Sequence, residues 1–311
     1  MRRVIGFTAE RQDDQSSLET LLRKRMGLTR AQIRRAKFTE NGITVNGRRH
    51  RVTDMVQAGD LIQVLLEDVT VPRTETAESW EDLRILYEDE DVLAVCKPSG
   101  LTCHPAHGHF RDTLANQTAA YLAAKGENCA VREVGRLDRD TSGIVVTAKN
   151  QTSAARLAAQ REDGRMRKLY LAAAEGVFDE KQGCIRMPIA PDENELNKMT
   201  VQNKGKMAVT HYRVIDQKEE AALVCCRLET GRTHQIRVHM AAMGHPLLGD
   251  TIYGKGNLTG SRLGLHAAVL QFVQPFTGKQ ICLAAEFTDA PAFGTIDTET
   301  IRRILAPDWE R

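Results

Sequence analysis

Leu18, Leu21, Leu22 and Met26 recur at helical spacing behind Ser16-Ser17, a pair able to cap a helix start. A second short helix is expected from Thr29. Ile33 and Ala36 would turn inward, leaving Arg30, Arg34, Arg35 and Lys37 on the outer face and C-terminal end. The pattern then changes to short β runs. Ile43–Val45 is closed by the hairpin signal Asn46-Gly47, and after the Gly59-Asp60 turn the run LIQVLL (61–66) reads as a strand. Two short helices on a small sheet bury little core, so this segment is expected to act through its surface.

Residues 68–82, DVTVPRTETAESWED, carry no apolar period and read as a linker or strap, with Trp80 anchored on the next domain. This gives a division into residues 1–73, an acidic linker 74–82, and residues 83–311. In the last part, 143–149, 167–176 and 221–230 read as largely buried strands, and RILYEDEDVLAVCKPSG as two strands around an acidic turn. Residues 151–162 have helical composition, and Thr233 is placed to cap a helix through HQIRVHMAAMG. Strands outnumber helices without strict βαβ alternation, so the fold class expected is α+β with a mixed, mainly antiparallel sheet. No repeat of fixed period is visible.

The length of 311 residues suits two domains, and 41% hydrophobic with 27% charged residues excludes disorder for most of the chain. No apolar run reaches the 18 or more residues of a membrane span, and MRRVIGFTAE lacks a signal-peptide core. Seven scattered cysteines without a CxxC argue against a disulfide framework or a four-cysteine zinc site and fit reduced thiols in the cytoplasm. The net charge of +2 hides an asymmetry: +5 over 1–73, −7 over 74–92 and +4 over the remainder. Residues 23–51 hold ten Lys/Arg and a single acid, Glu40. Such a cluster is the footprint of phosphate binding, although a solvated basic face has the same composition.

Two segments carry candidate chemistry. In GRLDRDTSGIVV (135–146), glycines bracket a tight loop that enters an apolar strand, projecting Arg136, Asp138 and Asp140 from a rigid edge. An Asp in such a loop can equally be a turn former. ETGRTHQIRVHMAAMGHPLLGD (229–250) gathers Arg232, His234, Arg237, His239 and His245, a set suited to an anion, a metal or a buried carboxylate. CHPAHGH (103–109) offers a thiol and three imidazoles, but a crowded loop containing Pro105 and Gly108 suits a turn better than tetrahedral zinc. His234 and His239 are five apart, not the four of a metalloprotease helix.

The run TRAQIRRAKFTENGITVNGRRHRVTDMVQAGDLIQV resembles the S-four-type (alpha-L) RNA-binding domain, through Thr29-Arg30, Gly42–Gly47 and Gly59–Val64. The resemblance implies recognition of structured RNA through Arg30, Gln32, Arg34 and Arg35, with Lys37 and Arg48 among the RNA contacts. Further on, DVLAVCKPSGLTCHP, GRLDRDTSG, KLYLAAAEG, LETGRTHQIRVHMAAMGHPLLGDTIYG and LHAAVLQFVQPFTGK resemble, in family order over about 83–290, the RluA family of RNA pseudouridine synthases. Cys96 before Lys-Pro and the AAEFTDAP ending depart from the family pattern without touching its catalytic positions.

That resemblance implies a pseudouridine synthase fold and isomerisation of uridine, a reaction with no redox step and hence no cofactor or metal. It implies Asp138 as the catalytic carboxylate, Arg237 as its buried cationic partner, and Tyr170 packed against the base. Arg136 would fill the space left by the flipped uridine, and Ile236, Asp140 and Thr141 would support the pocket. The substrate expected is large-subunit ribosomal RNA, with transfer RNA as the alternative. A non-catalytic RNA-binding or ribosome-assembly factor is the competing class, disfavoured because Asp138, Tyr170 and Arg237 are all present. The protein is expected to be a cytoplasmic monomer without membrane contact.

Overall fold

Residues 2–67, 74–77, 79–105, 110–127, 129–254 and 261–305 are described by a computed structural model of the chain. The N-terminal part runs β1 (Arg2–Thr8), β2 (Ser16–Ser17), α1 (Leu18–Lys24), α2 (Arg30–Phe38), β3 (Ile43–Val45), β4 (Arg48–Arg49), β5 (Met55–Val56) and β6 (Leu61–Glu67). An antiparallel sheet of order β1-β6-β3-β4 forms one side, and β2 pairs with β5. Leu18, Leu21, Leu22, Ile33, Ile62 and Val64 close its core. Ser17 caps α1 by accepting from Thr20 N–H at 3.3 Å. Thr29 and Gln32 form a reciprocal capping box on α2, with Gln32 Oε1 accepting from Thr29 N–H at 2.8 Å and Thr29 Oγ1 from Gln32 N–H at 3.3 Å.

Gln32 departs from the expected exposed RNA-binding face. Its side chain is buried, and its amide donates to Thr152 Oγ1 at 2.6 Å across to the large domain. This contact belongs to a docking seam. Arg3 Nη1 donates to Asp91 Oδ2 at 2.9 Å, Arg156 Nε to the Met26 carbonyl at 3.1 Å, and the two guanidinium groups flank the Phe276 ring at 4.2 and 4.7 Å. Charge-assisted bonds and cation–π stacking hold the small domain against the large one. Downstream, Trp80 packs edge-on against Tyr121 at 5.2 Å, and Asn116 Nδ2 donates to the Glu75 carbonyl at 2.7 Å.

The large domain continues with β7 (Arg84–Glu88), β8 (Val92–Lys97), α3 (Leu114–Ala124), β9 (Arg132–Glu133), β10 (Ser142–Ala148), α4 (Gln151–Glu162) and β11 (Arg167–Glu175). Next come β12 (Gln182–Pro191), β13 (Met199–Val201), β14 (Lys206–Gln217), β15 (Ala221–Leu228), α5 (Gln235–Ala242), β16 (Leu265–Val273) and β17 (Gln280–Ala284). The chain closes with β18 (Phe287–Ala290), β19 (Gly294–Ile296) and α6 (Thr298–Ile304). The main sheet has order β13-β12-β14-β15-β11-β16-β10-β8-β7, with β17 on β16 and β9 on β10. Its described pairs are antiparallel except β10 with β16. The fold is α+β, as the strand-rich pattern implied.

Alternation along β11 decides what each face carries. Tyr170, Ala172 and Ala174 face Ile236 and Met240 of α5, whereas Leu169 and Leu171 face Phe287 and Ile301. Tyr170 and α5 therefore share one side of the sheet. The β10–β16 crossing just after the GRLDRDTSG loop is unusually close. Gly143 has φ +113°, and a Cβ there would lie 2.4 Å from the Ala267 carbonyl oxygen. Gly143→Ala is expected to lower unfolding stability by roughly 2–5 kcal/mol, read as a shift in urea midpoint, because backbone strain and overpacking add. An unchanged midpoint would mean the crossing tolerates a side chain.

No helix among the described residues is long and apolar enough to cross a membrane.

Candidate active site

The 135–141 loop is held from below by groups that bond to its backbone. Lys97, fully buried, donates from Nζ to the carbonyls of Pro98 at 2.9 Å, Leu101 at 2.7 Å and Arg139 at 2.8 Å. Ser99 Oγ donates to the Asp140 carbonyl at 2.7 Å, and Leu137 N–H points to Cys103 Sγ at 3.4 Å. Burial pulls the Lys97 ammonium down to about 8, with Cys103, Asp140 and Asp138 opposing. The anchoring fixes the loop while leaving the Asp138 carboxylate without a hydrogen-bond donor among the described residues.

Asp138, Arg136, Thr141, Tyr170, Ile236 and Arg237 line one cleft of about 260 Å³, together with Arg232, His234 and Leu265. Asp140 lies outside that lining. Its carboxylate accepts from Arg139 Nε at 3.0 Å, so its part in the loop is the turn itself. Arg136 is exposed at the mouth, 3.5 Å from Thr233 Oγ1. Burial, then the charge of Asp138, raise the Tyr170 phenol well above its ordinary range, so the hydroxyl is protonated at neutral pH.

Two expectations about α5 are corrected. Its N-cap is His234, not Thr233, in a left-handed conformation with φ +55° and without a side-chain cap bond. The His234 ring is held by Tyr253, whose hydroxyl is 2.9 Å from Nδ1 and accepts from Met199 N–H at 2.8 Å. Gln235 secures the preceding turn, accepting from Arg232 N–H at 3.0 Å and donating to the Val209 carbonyl at 3.0 Å.

The second correction concerns Arg237. Its hydrogen bonds go to Asp250, not Asp138: Nε to Oδ2 and Nη2 to Oδ1, both at 2.7 Å, with both side chains buried. Asp138 acts on Arg237 through charge alone. Burial would raise the Asp250 carboxyl, but Arg237 and the N–H groups of Ile252 and Tyr253 overrule it and hold it below the usual range. Asp250 is the partner of a cleft-lining arginine that sequence reasoning missed. The available signal was an acid after the Gly249 turn, thirteen residues beyond a helical arginine.

The other two imidazoles of the 229–250 segment, His239 and His245, are held by packing and hydrogen bonds. His239 is buried between Thr210 Oγ1 at 2.9 Å and the Met187 carbonyl at 3.3 Å, and His245 stacks on Phe178 at 3.8 Å. Among the described residues no three His, Cys, Asp or Glu side chains are grouped to hold a metal. His107 and His109 of the CHPAHGH run lie outside the described residues.

A carboxylate on a rigid loop, a protonated buried phenol and a buried arginine thus line one cleft, and Asp250, outside the lining, holds that arginine by two hydrogen bonds. The profile of the RNA pseudouridylate synthase family matches residues 91–242, the span that holds all three of Asp138, Tyr170 and Arg237. An uncharacterised RNA pseudouridine synthase of Bacillus subtilis, YhcT, is 40% identical over 235 residues, covering 75% of this chain and 77% of that protein. The chain belongs to the RluA-type RNA pseudouridine synthases. Ribosomal large subunit pseudouridine synthase D of Zymomonas mobilis is 41% identical to this synthase, covering 70% of this chain and 74% of that one. Among solved structures, human RNA pseudouridylate synthase domain containing 1 superposes with TM-score 0.59 at 24% identity, covering 73% of this synthase and 96% of that chain, which supports the fold. The synthase is an isomerase, and its cleft is the place to look for the chemistry.

Proposed function

We propose that the synthase isomerises uridines in structured RNA, large-subunit ribosomal RNA above all, with Asp138 as the catalytic carboxylate. The observation carrying this reading is the convergence of Asp138, Tyr170 and Arg237 on one cleft, with Arg237 held by Asp250 from outside its lining. Likeness to synthases named for the large ribosomal subunit favours that RNA over transfer RNA. The reaction breaks the bond from ribose C1′ to uracil N1 and joins C1′ to C5; N1 gains a proton and C5 loses one. Asp138 traps or stabilises the electron-poor centre formed as the glycosidic bond breaks. Tyr170, held protonated, packs against the base and does not start as a base itself. Arg237 supplies positive charge near Asp138, in a cleft wall that also carries apolar Ile236 and Leu265.

A buried target atom requires the uridine to leave its stack, and exposed Arg136 at the cleft mouth is placed to occupy the gap. Ile236 and Thr141 shape the pocket wall. The decisive test is tritium release from RNA labelled at uracil C5. Release from isolated large-subunit RNA is expected; release from transfer RNA alone would move the substrate, and none from any cellular RNA would remove the reading.

Residues 1–73 serve in this reading as an S-four-type RNA anchor and 83–311 as the catalytic unit, joined by 74–82. Arg30, Arg34, Arg35, Lys37 and Arg48 are exposed, as phosphate contacts must be, although Arg35 also donates to the Glu67 carbonyl at 2.9 Å. Replacing Arg30, Arg34 and Arg35 together by Gln should lower the slope of log affinity against log salt by roughly one unit per lost phosphate contact. Turnover of saturating RNA should survive, because these groups lie on the other domain. An unchanged slope would make the cluster a solvated face.

A further inference from the structure

Glu133 and His104, among the described residues of the catalytic domain, form an ionisable pair that the isomerisation chemistry does not use. The Glu133 side chain, at the end of β9, is fully enclosed, and neither carboxyl oxygen has an aligned hydrogen-bond donor. Its ion-pair neighbour is His104, whose Nε2 lies 3.0 Å from Oε2. His104 is the opposite case: half of its side chain is open to solvent. It sits close enough to Arg136 to feel that charge, and Arg136 stands at the cleft mouth three residues after Glu133. An enclosed carboxyl without donors is costly and calls for an explanation.

We propose that His104 is a phosphate contact for the RNA strand beside Arg136, and that Glu133 behind it stores the proton that makes this imidazole cationic when RNA is bound. The inference rests on the reading that RNA enters the cleft at Arg136.

The charges around the pair explain why a store is needed. Lys168 on β11, Lys97 on β8 and Arg161 on α4 face the region from within, with the Cys103 thiol beside them; Arg136 faces His104 from the loop after β9. Burial, then Arg136, push the His104 imidazole down, so alone it is neutral at pH 7. Burial pushes the Glu133 carboxyl up to about 8, against Lys168 and Lys97, so it holds a proton at pH 7. The free pair is therefore a neutral acid facing a neutral imidazole.

A phosphate arriving on the solvent side offsets the field of Arg136 and favours positive charge on the ring. The proton then crosses the 3.0 Å gap: the Glu133 O–H bond breaks, the His104 Nε2–H bond forms, and the pair's net charge stays zero. The outcome is an imidazolium between a buried carboxylate and an RNA phosphate, a charge-assisted contact made without taking a proton from solvent. Above about pH 8 the stored proton is lost, the pair becomes anionic, and it repels the phosphate.

The test measures affinity for a fluorescein-labelled oligouridylate and KM for tritium release from uracil-labelled RNA, across pH 6 to 9. Wild-type affinity should fall on passing pH 8. His104→Gln should bind roughly fivefold more weakly at pH 7 and show a much shallower fall, left to Glu133 ionisation alone, with KM rising by a similar factor while kcat stays close to wild type. His104→Arg, permanently charged, should restore affinity and remove the pH dependence. Glu133→Gln should resemble His104→Gln at pH 7 and recover only in acid. If Glu133→Gln fails to fold, the two surface variants at His104 still decide. Affinity and pH profile unchanged in His104→Gln, or a pH fall retained in His104→Arg, would overturn the inference. Wild-type protein releasing tritium from no RNA would instead overturn the reading beneath it, and the two failures are separable.

Discussion

Asp138→Asn is expected to reduce turnover by at least about 10⁴-fold while leaving RNA affinity within a few fold. The loop that presents residue 138 is fixed through its backbone, by Lys97 Nζ on the Arg139 carbonyl, Ser99 on the Asp140 carbonyl and Cys103 on Leu137. None of those bonds uses the Asp138 carboxylate, so an amide of equal size enters without moving the loop. What disappears is the anion: an amide neither stabilises the positive charge that develops as the glycosidic bond breaks nor forms an ester with it. Affinity should persist because the cations proposed to meet RNA lie elsewhere, at the cleft mouth and on the small domain. Tritium release and RNA binding measured on the same preparation check this, with thermal unfolding as the control for fold. Turnover by the Asn variant above trace level would take Asp138 out of the catalytic role.

Much of the molecule is legible in the sequence because local signals and tertiary structure agree. Ser17 and Thr29 cap the two helices that the apolar spacing predicts, and the apolar runs at 143–149, 167–176 and 221–230 coincide with β10, β11 and β15 in the middle of the large sheet. The signal weakens where burial is one-sided. Both β12 and β14 mix exposed Arg186, Lys206 and Met207 with buried Ile185, Ala208 and Val209, and the apolar pattern marks neither as a strand.

Pairing across the chain is harder still. Gln32 is the third residue of α2, next to Ile33, and whether it meets RNA or Thr152 depends on the docked domain, which no local pattern encodes. The motif order places Arg237 in the catalytic cleft, but two carboxylates lie within its field. Geometry gives its hydrogen bonds to Asp250 because the turn at Gly249 carries that carboxylate to both guanidinium nitrogens. His234 illustrates the same limit, since its left-handed φ follows from the ring's anchorage on Tyr253 and Gln235's grip on the turn.

The Arg237–Asp250 pair yields the other large effect. Both groups are almost fully enclosed and joined by two parallel 2.7 Å bonds, so removing either partner strands a charge away from water. Asp250→Asn is expected to destabilise the fold by about 3–5 kcal/mol and to cut turnover sharply, because the guanidinium loses the fork that aims it. Arg237→Lys keeps a positive charge but offers a single point donor in place of the planar fork, and a buried ammonium sheds its proton more readily. It should therefore lose much of the turnover, with Arg237→Met worse, since Asp250 is then buried without its cation. The sign of the pH dependence comes from Asp250 being held below its ordinary range. A depressed folded-state carboxyl contributes stability above the unfolded value of about 4 and loses it as pH falls through the lower folded value. The stability gap between wild type and Asp250→Asn should accordingly be full at pH 7 and shrink below about pH 4, which urea unfolding at several pH values measures. RNA affinity should change little in all three variants. If it falls as far as turnover does, Arg237 is a phosphate contact, and its bond with Asp250 does not serve the chemical step.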